Sequence, residues 1–431
     1  MPAPTDAPLP SSLLDKLSPL QQRVLRAIQL AADDLAIPVY LVGGAVRDWL
    51  LGVPAIDDLD FVVEGNALTL AETLRAREGG AAHAYPRFGT ATWFLDGAAV
   101  DIAAARKETY PHPASLPVVS PTDLETDLHR RDFTVNAMAL RLRDAALIDP
   151  LSGQRDLAAR SLRALHPNSF VDDPTRLLRG ARYAARLGFS LAPETQSWMA
   201  AGLPYLRALS GERVKYDLEL IFEEPTAAQA LSLLSEWGAF RTLGIPVPDA
   251  AALQQRFEAI QSILEDSETW QPAALGLRSR VELRHALGWG ALTYNLGQLG
   301  TSRWVSWIPF THVVRDALVS LGALSSLSAG LFVGARASQQ SELLSPFSGL
   351  ALCIGYAFER NPLKREAMRH EWTVWRHVRP ALNGDDLRQL GLPPGPQYAR
   401  LLKQLRQARL DGEVHSPEEE RELIKRIANG E

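Results

Sequence analysis

The sequence predicts an α+β protein, in which a region with a small mixed sheet is followed by a longer region built of helices alone. Short apolar runs rich in β-branched residues alternate with helical stretches over about the first 150 residues. Beyond about residue 155 such runs become rare, and helical spacing continues to Glu431. Because 431 residues are too many for one ordinary core, this change of pattern is also the predicted domain boundary.

Each element of the first region follows from a local signal. Residues 1–18 are rich in proline and serine and are predicted to be disordered. Leu20–Asp34 has helical spacing, and Ile37–Val42 has the short β-branched composition of a buried strand. Gly43-Gly44 ends that strand, and a helix resumes at 45–51. The other predicted strands are Asp60–Val63, Thr90–Leu95, Ala98–Ala103 and Ala137–Arg141, and the clearest later helices are Arg176–Leu187, Arg213–Phe222, Ala227–Trp237 and Ala250–Glu265.

Composition restricts the partners and the compartment. The net charge of −5 excludes a protein that is basic over its whole surface, so nucleic-acid contact requires a local basic patch. The single cysteine, Cys353, excludes a cysteine-based zinc site and agrees with a reducing compartment. The N-terminus lacks the pattern of a signal peptide, so a cytoplasmic location is predicted. Four serines and three glycines in the uncharged run Ala317–Ala335 favour a buried or interfacial helix over a membrane span.

A glycine pair between a predicted strand and a predicted helix is the first candidate for a binding site. Gly43 and Gly44 would let backbone N–H groups approach a phosphate, at a helix N-terminus that favours negative charge. Arg47, one turn into the helix, has the reach to contact the same oxygens. Taken alone, a glycine pair of this kind is more often a simple turn than a phosphate site.

Two carboxylates follow shortly after the glycine pair. Asp58 and Asp60 stand two apart at the start of a predicted strand, so they share a face and repel each other unless a cation neutralises them. Mg²⁺ prefers such hard oxygen ligands. Asp101, in an apolar strand-like run, is the candidate for the third carboxylate of a two-metal site. Each pattern alone also fits a solvated acidic turn or strand end, but a phosphate cradle followed by a cation-binding pair is what nucleotidyl transfer requires.

The stretch LHRRDFTVNAMAL (128–140) places an arginine beside hydrogen-bonding side chains. Arg131 can hold phosphates, while Asp132 and Asn136 can bond the hydroxyls of a ribose. A capped helix or a salt bridge explains this cluster equally well. The interpretation of this stretch as a nucleotide-binding segment therefore depends on the other motifs.

The stretch DDPTRLLRGARYAARLGF (172–189) predicts a helix with a basic face. Asp173 and Pro174 signal its start, and Gly188 signals its end. Its arginines recur at spacings of 3, 3 and 4 and share one face, which is either a solvated stripe or a surface aimed at a nucleotide. These arginines are Arg176, Arg179, Arg182 and Arg186.

In this order, the motifs resemble those of class II tRNA nucleotidyltransferases and bacterial poly(A) polymerases. The motifs are LVGGAVRDWLLG with DDLD, RRDFTVNA, LIDPLSGQRDL (147–157), the DDPTR helix, ERVKYDLELIF (212–222) and the segment 382–414. The resemblance covers roughly residues 37–222 and 380–428, and the stretch of about 240–375 has no recognisable match. Beyond the terminus at 1–18, which its composition predicts to be disordered, the resemblance implies a polymerase-β-like nucleotidyltransferase head at 19–155, a helical neck with the nucleotide-selecting helix at 156–240, a helical body at 241–375 and a tRNA-binding tail at 376–431.

The resemblance implies that most of the candidate residues bind an incoming CTP or ATP. They are Gly43, Gly44, Arg47, Arg131, Asp132, Asn136, Asp173, Arg176 and Arg179. In such enzymes the glycine pair and its arginine hold the triphosphate, and the RRD segment contacts ribose and phosphates. Asp173 and Arg176 would read the base edge without a nucleic-acid template, with Arg179 supporting the phosphates. Asp172 stands where the family usually has a glutamate, which affects only supporting contacts.

The resemblance further implies the catalytic groups and the reaction. Asp58 and Asp60 would carry Mg²⁺, and Asp101 would be the third catalytic carboxylate. The 3′-hydroxyl of a tRNA would attack the α-phosphate of the nucleotide in line with the departing pyrophosphate. Several basic residues either hold the tRNA acceptor arm or form solvated faces. These are Arg179, Arg182, Arg186, Lys403, Arg406 and Arg409.

Three alternatives remain open within this interpretation. A poly(A) polymerase shares nearly every motif, although the acidic ending SPEEERELIKRIANGE does not favour it. Some family members add only CC or only the final A, a choice linked to the segment 106–129, whose sequence does not distinguish the subtypes. A catalytically inactive RNA-binding protein would predict the loss of a metal carboxylate, yet Asp58, Asp60 and Asp101 are all present.

Overall fold

The structure is a computed structural model that describes residues 9–245, 247–294 and 305–429. The chain forms two compact units. The first unit is Met1–Leu209 with Glu236–Leu243, and the second is Ser210–Ser235 with Gly244–Glu431.

The predicted boundary near residue 155 lies inside the first unit. The chain just beyond it packs back onto the RRD segment. Phe133 forms a β-bridge with Ala164, and the N–H of Thr134 donates to the carbonyl of Arg163 at 2.9 Å. The change from strands to helices therefore does not coincide with a change of compact unit, and the four-part division into head, neck, body and tail stays a prediction.

The strands of the first unit confirm the predicted mixed sheet. They are β1 (Val39–Val42), β2 (Asp60–Val63), β3 (Ala81–Tyr85), β4 (Thr90–Leu95), β5 (Ala98–Ala104), β6 (Arg106–Thr109), β7 (Val118–Pro121), β8 (Ala139–Arg141), β9 (Leu147–Ile148), β10 (Ser161–Leu162) and β11 (Ser190–Leu191). Seven of them form one sheet in the order β3-β4-β5-β2-β1-β8-β9, in which β2 and β5 run parallel and the other pairs antiparallel. Two small sheets pair β6 with β7 and β10 with β11.

Helices account for most of the remaining chain. Up to residue 202 they are α1 (Ser11–Leu14), α2 (Pro19–Asp34), α3 (Gly44–Leu50), α4 (Ala67–Glu78), α5 (Leu124–His129), α6 (Gly153–Ala158), α7 (Ser169–Asp172), α8 (Thr175–Leu187) and α9 (Pro193–Gly202). Beyond it they are α10 (Gly211–Glu223), α11 (Ala227–Glu236), α12 (Ala239–Leu243), α13 (Ala250–Glu265), α14 (Arg280–Thr293), α15 (His312–Ser326), α16 (Ala337–Leu344), α17 (Gly349–Phe358), α18 (Pro362–Thr373), α19 (Gly384–Gln389), α20 (Gln397–Leu410) and α21 (Pro417–Asn429).

The two faces of the large sheet differ in how they are covered. Helices α2 and α4 pack over one face, where Phe61, Trp93 and Ile102 are fully buried. On the other face, Val42 and Val62 belong to a core cluster that includes two leucines of α5. That cluster covers the central strands only, so the same face of β3 and β4 stays open.

The predicted disorder of residues 1–18 is wrong for its second half. Residues 1–8 lie outside the described residues, but Ser11–Leu14 forms a short helix. Leu13 and Leu17 are buried, and this apolar anchoring is the reason that the segment is ordered. Ser18 then starts α2 with a capping box that it forms with Gln21.

The uncharged run Ala317–Ala335 forms the second half of α15 and a 3₁₀ turn at Ala329–Phe332. Leu318, Leu321 and Leu324 are fully buried, in agreement with a buried helix. In the described part of the chain no single helix is long and apolar enough to cross a membrane. Only α16 and α17 together have the length and composition, and they are bent by 108°.

Candidate active site

The junction between β1 and α3 forms one wall of a polar cavity of about 300 Å³ in the first unit. Gly43 has a φ of +68°, which favours glycine over any residue with a Cβ. A Cβ at this position would also lie 3.1 Å from Nη1 of Arg131. The glycine therefore lets the backbone approach the cavity where a side chain would crowd an arginine.

This cavity brings most of the predicted site residues together. Its lining includes Asp60 and all but one of the predicted nucleotide-binding residues, namely Gly43, Gly44, Arg131, Asp132, Asn136, Asp173, Arg176 and Arg179. The exception is Arg47, which is buried and donates from Nη1 to Oδ1 of Asn136 at 2.6 Å. Arg47 also donates from Nε and Nη2 to Asp48, at 2.8 and 2.9 Å. Its contacts orient Asn136, and its predicted contact with the triphosphate stays a prediction.

The predicted catalytic carboxylates meet through the pairing of two parallel strands. Asp60 of β2 and Asp101 of β5 are register partners, so their side chains lie next to each other on one face. Asp101 accepts a hydrogen bond of 2.6 Å from Oγ1 of Thr92. Asp60 is exposed at its surface, yet the surrounding protein removes part of its hydration and raises its pKa. Arg131 lowers the pKa, but the charges of Asp101 and Asp58 raise it further, so that it lies above its ordinary value. The contributions of Asp101 and Asp58 to this shift indicate that both carboxylates lie within electrostatic reach of Asp60.

These carboxylates have the chemistry of a divalent-cation site. Among the described residues, no group of three or more histidine, cysteine, aspartate or glutamate side chains is arranged to hold a metal ion. Nevertheless, Asp60 and Asp101 adjoin, and Asp58 is close enough to raise the pKa of Asp60. A bound divalent cation would relieve this repulsion through hard oxygen ligands. Asp60 and Asp101 therefore offer adjacent carboxylate oxygens, which are ligands that suit such an ion.

The loop that carries Asp58 is held by a residue that the sequence did not reveal as functional. Nε2 of Gln21, in α2, donates to the carbonyls of Ile56 and Asp57 at 2.7 and 2.9 Å. Nζ of Lys16 donates to the carbonyl of Val53 at 2.6 Å. The N-terminal segment thus fixes the backbone directly before Asp58.

Asp132 is the centre of a buried hydrogen-bond network on the cavity wall. Its Oδ1 accepts from Nδ2 of Asn136 at 2.9 Å and from the N–H of Phe133 at 2.8 Å. Its Oδ2 accepts from Nε of Arg179 at 2.8 Å. Burial acts to raise the pKa of Asp132, but the charge of Arg179, the hydrogen bonds from Asn136 and Arg179 and the charge of Arg176 outweigh it and lower the pKa to about 2. Asp132 is therefore a fixed negative charge that orients Arg179.

The start of α8 delivers a carboxylate and a guanidinium to the same cavity. Oδ1 of Asp173 accepts from the N–H and the hydroxyl of Thr175, at 3.1 and 2.6 Å. Arg176 is only 4% exposed and donates from Nη2 to the carbonyl of Arg130 at 2.7 Å. Its Nη1 has no hydrogen-bond partner among the described residues. A buried cationic N–H group left in this way is suited to a ligand that carries an acceptor.

Four further cavity residues were absent from the sequence prediction. They are Glu108, Tyr110, Arg130 and Tyr183. The hydroxyl of Tyr110 donates to Glu108 at 2.9 Å, and Nη1 of Arg130 donates to the same carboxylate at 2.9 Å. Burial raises the pKa of Tyr110 well above its ordinary value. Tyr183 shares a helix face with Arg176 and Arg179, so its spacing could have identified it.

The other basic residues proposed from the sequence lie in different surroundings. On α8, the guanidinium of Arg182 lies 5.2 Å from the centre of the Tyr183 ring, and Arg186 lies 3.7 Å from Asp48. On α20, Lys403 pairs with Glu342, Arg406 donates to the carbonyls of Trp375 and Val378, and Arg409 pairs with the buried Glu420. The alternative of a simple solvated stripe is therefore wrong for Arg406 and Arg409, because both are engaged within the second unit.

Comparison with known proteins finds a family model for the part of the chain that carries most of this cavity. Residues 39–163 match the model of the poly A polymerase head domain, and residues 188–251 match that of a probable RNA and SrmB-binding site of polymerase A. The first match includes β1, β2, β5 and the RRD segment, and it therefore spans the carboxylates and the glycine pair.

Similar proteins extend the likeness over nearly the whole chain. An A-adding tRNA nucleotidyltransferase of Geobacter sulfurreducens is 32% identical over 94% of this chain and 47% of that protein. A CC-adding tRNA nucleotidyltransferase of Deinococcus radiodurans is 43% identical over 50% of this chain and 58% of that protein. The chain thus spans about half the length of these curated relatives.

A solved structure covers the chain more completely. The Thermotoga maritima CCA-adding enzyme complexed with tRNA superposes with a TM-score of 0.72, at 26% identity over 98% of both chains. The motif order, the mixed sheet with its paired carboxylates and these likenesses agree. Over nearly its whole length the chain is similar to tRNA nucleotidyltransferases, and residues 39–163 match the poly A polymerase head domain.

Proposed function

We propose that this protein is a tRNA nucleotidyltransferase that transfers CMP, AMP or both from CTP and ATP to the 3′-hydroxyl of tRNA, without a nucleic-acid template. The observation that carries the proposal is the single cavity in which the Asp60 carboxylate faces the guanidinium groups of Arg131, Arg176 and Arg179. Nucleotidyl transfer requires these two kinds of group together, because cations hold the triphosphate while carboxylates bind a divalent ion.

The cationic groups divide into those that bind phosphate and those that read the base. The backbone at Gly43 and Gly44, with Arg131 and Arg179, holds the triphosphate. Asp132 keeps Arg179 in place and is ionised at neutral pH, since its pKa is about 2. This arrangement supports a fixed binding site rather than one formed only when nucleotide arrives.

Asp173 and Arg176 offer both acceptor and donor atoms to the edge of a nucleobase. The free Nη1 of Arg176 is a donor in a buried position, judged by the residues that the structure describes. Asp173 adds a carboxylate on the same cavity wall. A pair that combines donors and acceptors can discriminate C from A through hydrogen bonds alone.

Nucleotidyltransferases of this family generally use a divalent metal ion, and we propose Mg²⁺. Asp58 and Asp60 would hold it, with Asp101 beside Asp60. When bound, the ion would neutralise charge on the phosphates and increase the acidity of the attacking hydroxyl. Because tRNA and nucleoside triphosphates are the substrates, we place the activity in the cytoplasm.

The alternative function is that of a poly(A) polymerase, which the same cavity would serve. The relatives favour tRNA, since the Geobacter and Deinococcus proteins are named as tRNA nucleotidyltransferases. These two names differ in the nucleotide added, and the A-adding relative matches along far more of the chain. We therefore favour A addition as the activity of this chain, with CC or complete CCA addition as the other outcomes.

Incorporation assays test this proposal directly. tRNA transcripts that end before the CCA, after the first C and after CC are offered CTP, ATP or both, with Mg²⁺. Addition of a single A to the transcript that ends in CC is the expected result. Addition that stops at CC or CCA would change the subtype, long A tracts on any RNA would identify a poly(A) polymerase, and the absence of incorporation would contradict the proposal.

A further inference from the structure

The face of the sheet that carries Asp60 and Asp101 is bare beyond Asp101. His83, Tyr85 and Phe94 lie on this face of β3 and β4 and are exposed, Tyr85 by 49% and Phe94 by 37%. The opposite face of the same strands buries Trp93 completely, so the exposed rings do not belong to the core. Several aromatic rings exposed together on one face indicate a contact surface.

One row of register partners connects this surface to the carboxylates. Asp60 pairs with Asp101, Asp101 with Thr92, and Thr92 with His83. The hydroxyl of Thr92 donates to Asp101 at 2.6 Å, and the ring of His83 lies edge-on to that of Phe94 at 5.1 Å. Because neighbouring strands lie about 4.8 Å apart, His83 stands about 10 Å from Asp101 along the row.

The nucleotide cavity opens on the other side of the same carboxylates. Asp60 pairs with Val42 of β1, and Gly43, which directly follows Val42, lines the cavity with Arg131. The order across the sheet is therefore phosphate-binding groups, carboxylates and aromatic face. In nucleotidyl transfer the attacking hydroxyl approaches opposite the departing pyrophosphate. If the triphosphate lies on the side of β1, the hydroxyl comes from the side of β4.

We propose that the exposed face of β3 and β4 binds the 3′-terminal, single-stranded nucleotides of the acceptor RNA, whose bases stack on Phe94, Tyr85 and His83. This inference rests on the proposed function. Aromatic side chains bind single strands of any sequence because every base has a π-face. Arg87, between Tyr85 and the exposed Phe88, adds a positive charge at the same end of the strands.

Crosslinking tests the position of the RNA without requiring catalysis. A hairpin RNA that mimics an acceptor stem carries 4-thiouridine as its 3′-terminal nucleotide and is irradiated with the full-length wild-type protein. The expected crosslinks lie within residues 81–95, which contain β3 and β4. Crosslinks confined to other segments overturn the inference.

Kinetics of a double variant test the stacking itself. Because stacking contributes roughly 1–3 kcal/mol per base, we expect Tyr85→Ala with Phe94→Ala to raise the KM for RNA about tenfold or more. The KM for CTP and ATP should stay within about twofold of the wild-type value, since the nucleotide cavity is unchanged. Leu30→Ala is the matched control, because this residue of α2 is 66% exposed and lies away from that face.

The outcomes separate this inference from the proposed function. If the wild-type protein incorporates nucleotides but the double variant keeps its KM for RNA, the stacking surface is refuted and the function stands. If the wild-type protein incorporates no nucleotide into any RNA but crosslinks within 81–95, the proposed function is refuted. The RNA-binding face is supported in that case. The inference requires crosslinks within 81–95 in every case. Wherever the wild-type protein is active, it also requires that the double variant has a raised KM for RNA.

Discussion

Two helices of this chain carry basic residues at nearly the same spacing, and the fold uses them in opposite ways. On α8, Arg176 and Arg179 line the polar cavity, where Nη1 of Arg176 meets no acceptor among the residues described. On α20, Arg406 donates to two backbone carbonyls and to Oγ of Ser341, and Arg409 pairs with Glu420. The first helix presents donors to a ligand, and the second uses them to hold its own unit together.

The difference shows that spacing determines which residues share a face but not what that face meets. The acceptors around α20 come from other segments of the chain, such as Trp375, which is 31 residues from Arg406, and Glu342, which is 61 residues from Lys403. Around the cavity one carboxylate, Asp132, orients Arg179 and leaves the neighbouring donors to a ligand. We therefore expect changes in the cavity to affect activity more than stability, and changes in α20 to do the reverse.

The largest effect should come from the carboxylates of the cavity region. Asp58→Ala removes a proposed ligand of the divalent ion, whose contribution to the transition state is several kcal/mol, so incorporation should fall by about 10³-fold or more. The fold should be retained, because this change also removes a charge that raises the pKa of Asp60. Single-turnover incorporation and thermal unfolding measure the two effects.

The neighbouring carboxylate provides the matched control for this change. Asp57→Ala alters the same net charge one residue away, and we expect it to keep most of the activity. Appreciable incorporation by the Asp58→Ala protein would remove the proposed role of that residue in metal binding.

The next largest effect should come from Arg176→Lys. The lysine keeps the charge but loses the planar fork of donors, so kcat/KM should fall about 10- to 100-fold and discrimination between CTP and ATP should weaken. The free energy of unfolding should fall by about 1 kcal/mol, since one hydrogen bond to the carbonyl of Arg130 is lost. Arg186→Lys, on the same helix but outside the cavity lining, is the control. Equal losses in both variants would show that the effect does not depend on the place of Arg176 in the cavity lining.

The reverse pattern is expected for Arg409→Ala. Glu420 is completely buried and keeps only the N–H groups of Ala381 and Leu382 once its arginine is lost. An uncompensated buried carboxylate should lower the free energy of unfolding by about 2–3 kcal/mol. The KM for nucleotide should not change. Urea unfolding measures the loss, and Glu420→Gln in the same chain should restore part of it; a loss of activity at unchanged stability would contradict the comparison.

Elements with a dense local signal could be predicted from the sequence. The bounds of β2 and β4 agree residue for residue with the prediction, because each is a short apolar run between turn residues. β3 was missed because most of its residues are exposed, and the strand Ala81–Tyr85 therefore carries no buried alternation. The signal that defines a strand in sequence is burial, and an open edge lacks it.

The site could be predicted where the chain itself brings residues together. Asp58 and Asp60 are two apart, but the meeting of Asp60 with Asp101 depends on the parallel pairing of β2 with β5, which spacing does not reveal. Glu108 and Tyr110 were missed for a similar reason: they belong to the segment 106–129, in which no sequence pattern indicated the pairing of β6 with β7 that includes Glu108. Tertiary pairing, rather than local pattern, completes the cavity.

The smallest effect should come from Lys403. Of the three basic residues of α20 named above, it is the one whose contacts contribute least to the fold. Its ion pair with Glu342 measures 2.6 Å, but both side chains are more than half exposed, and such pairs contribute about 0–1 kcal/mol. Lys403→Ala should therefore change the free energy of unfolding by less than about 1 kcal/mol. Because its ammonium can leave Glu342 easily, it can still attract RNA, so the KM for tRNA should rise about two- to threefold at low salt and return to the wild-type value at high salt. Lys403→Arg should match the wild type. A loss of stability as large as that of Arg409→Ala would show that Lys403 is structural, as Arg406 and Arg409 are. None of these three residues of α20 would then be assigned to RNA binding.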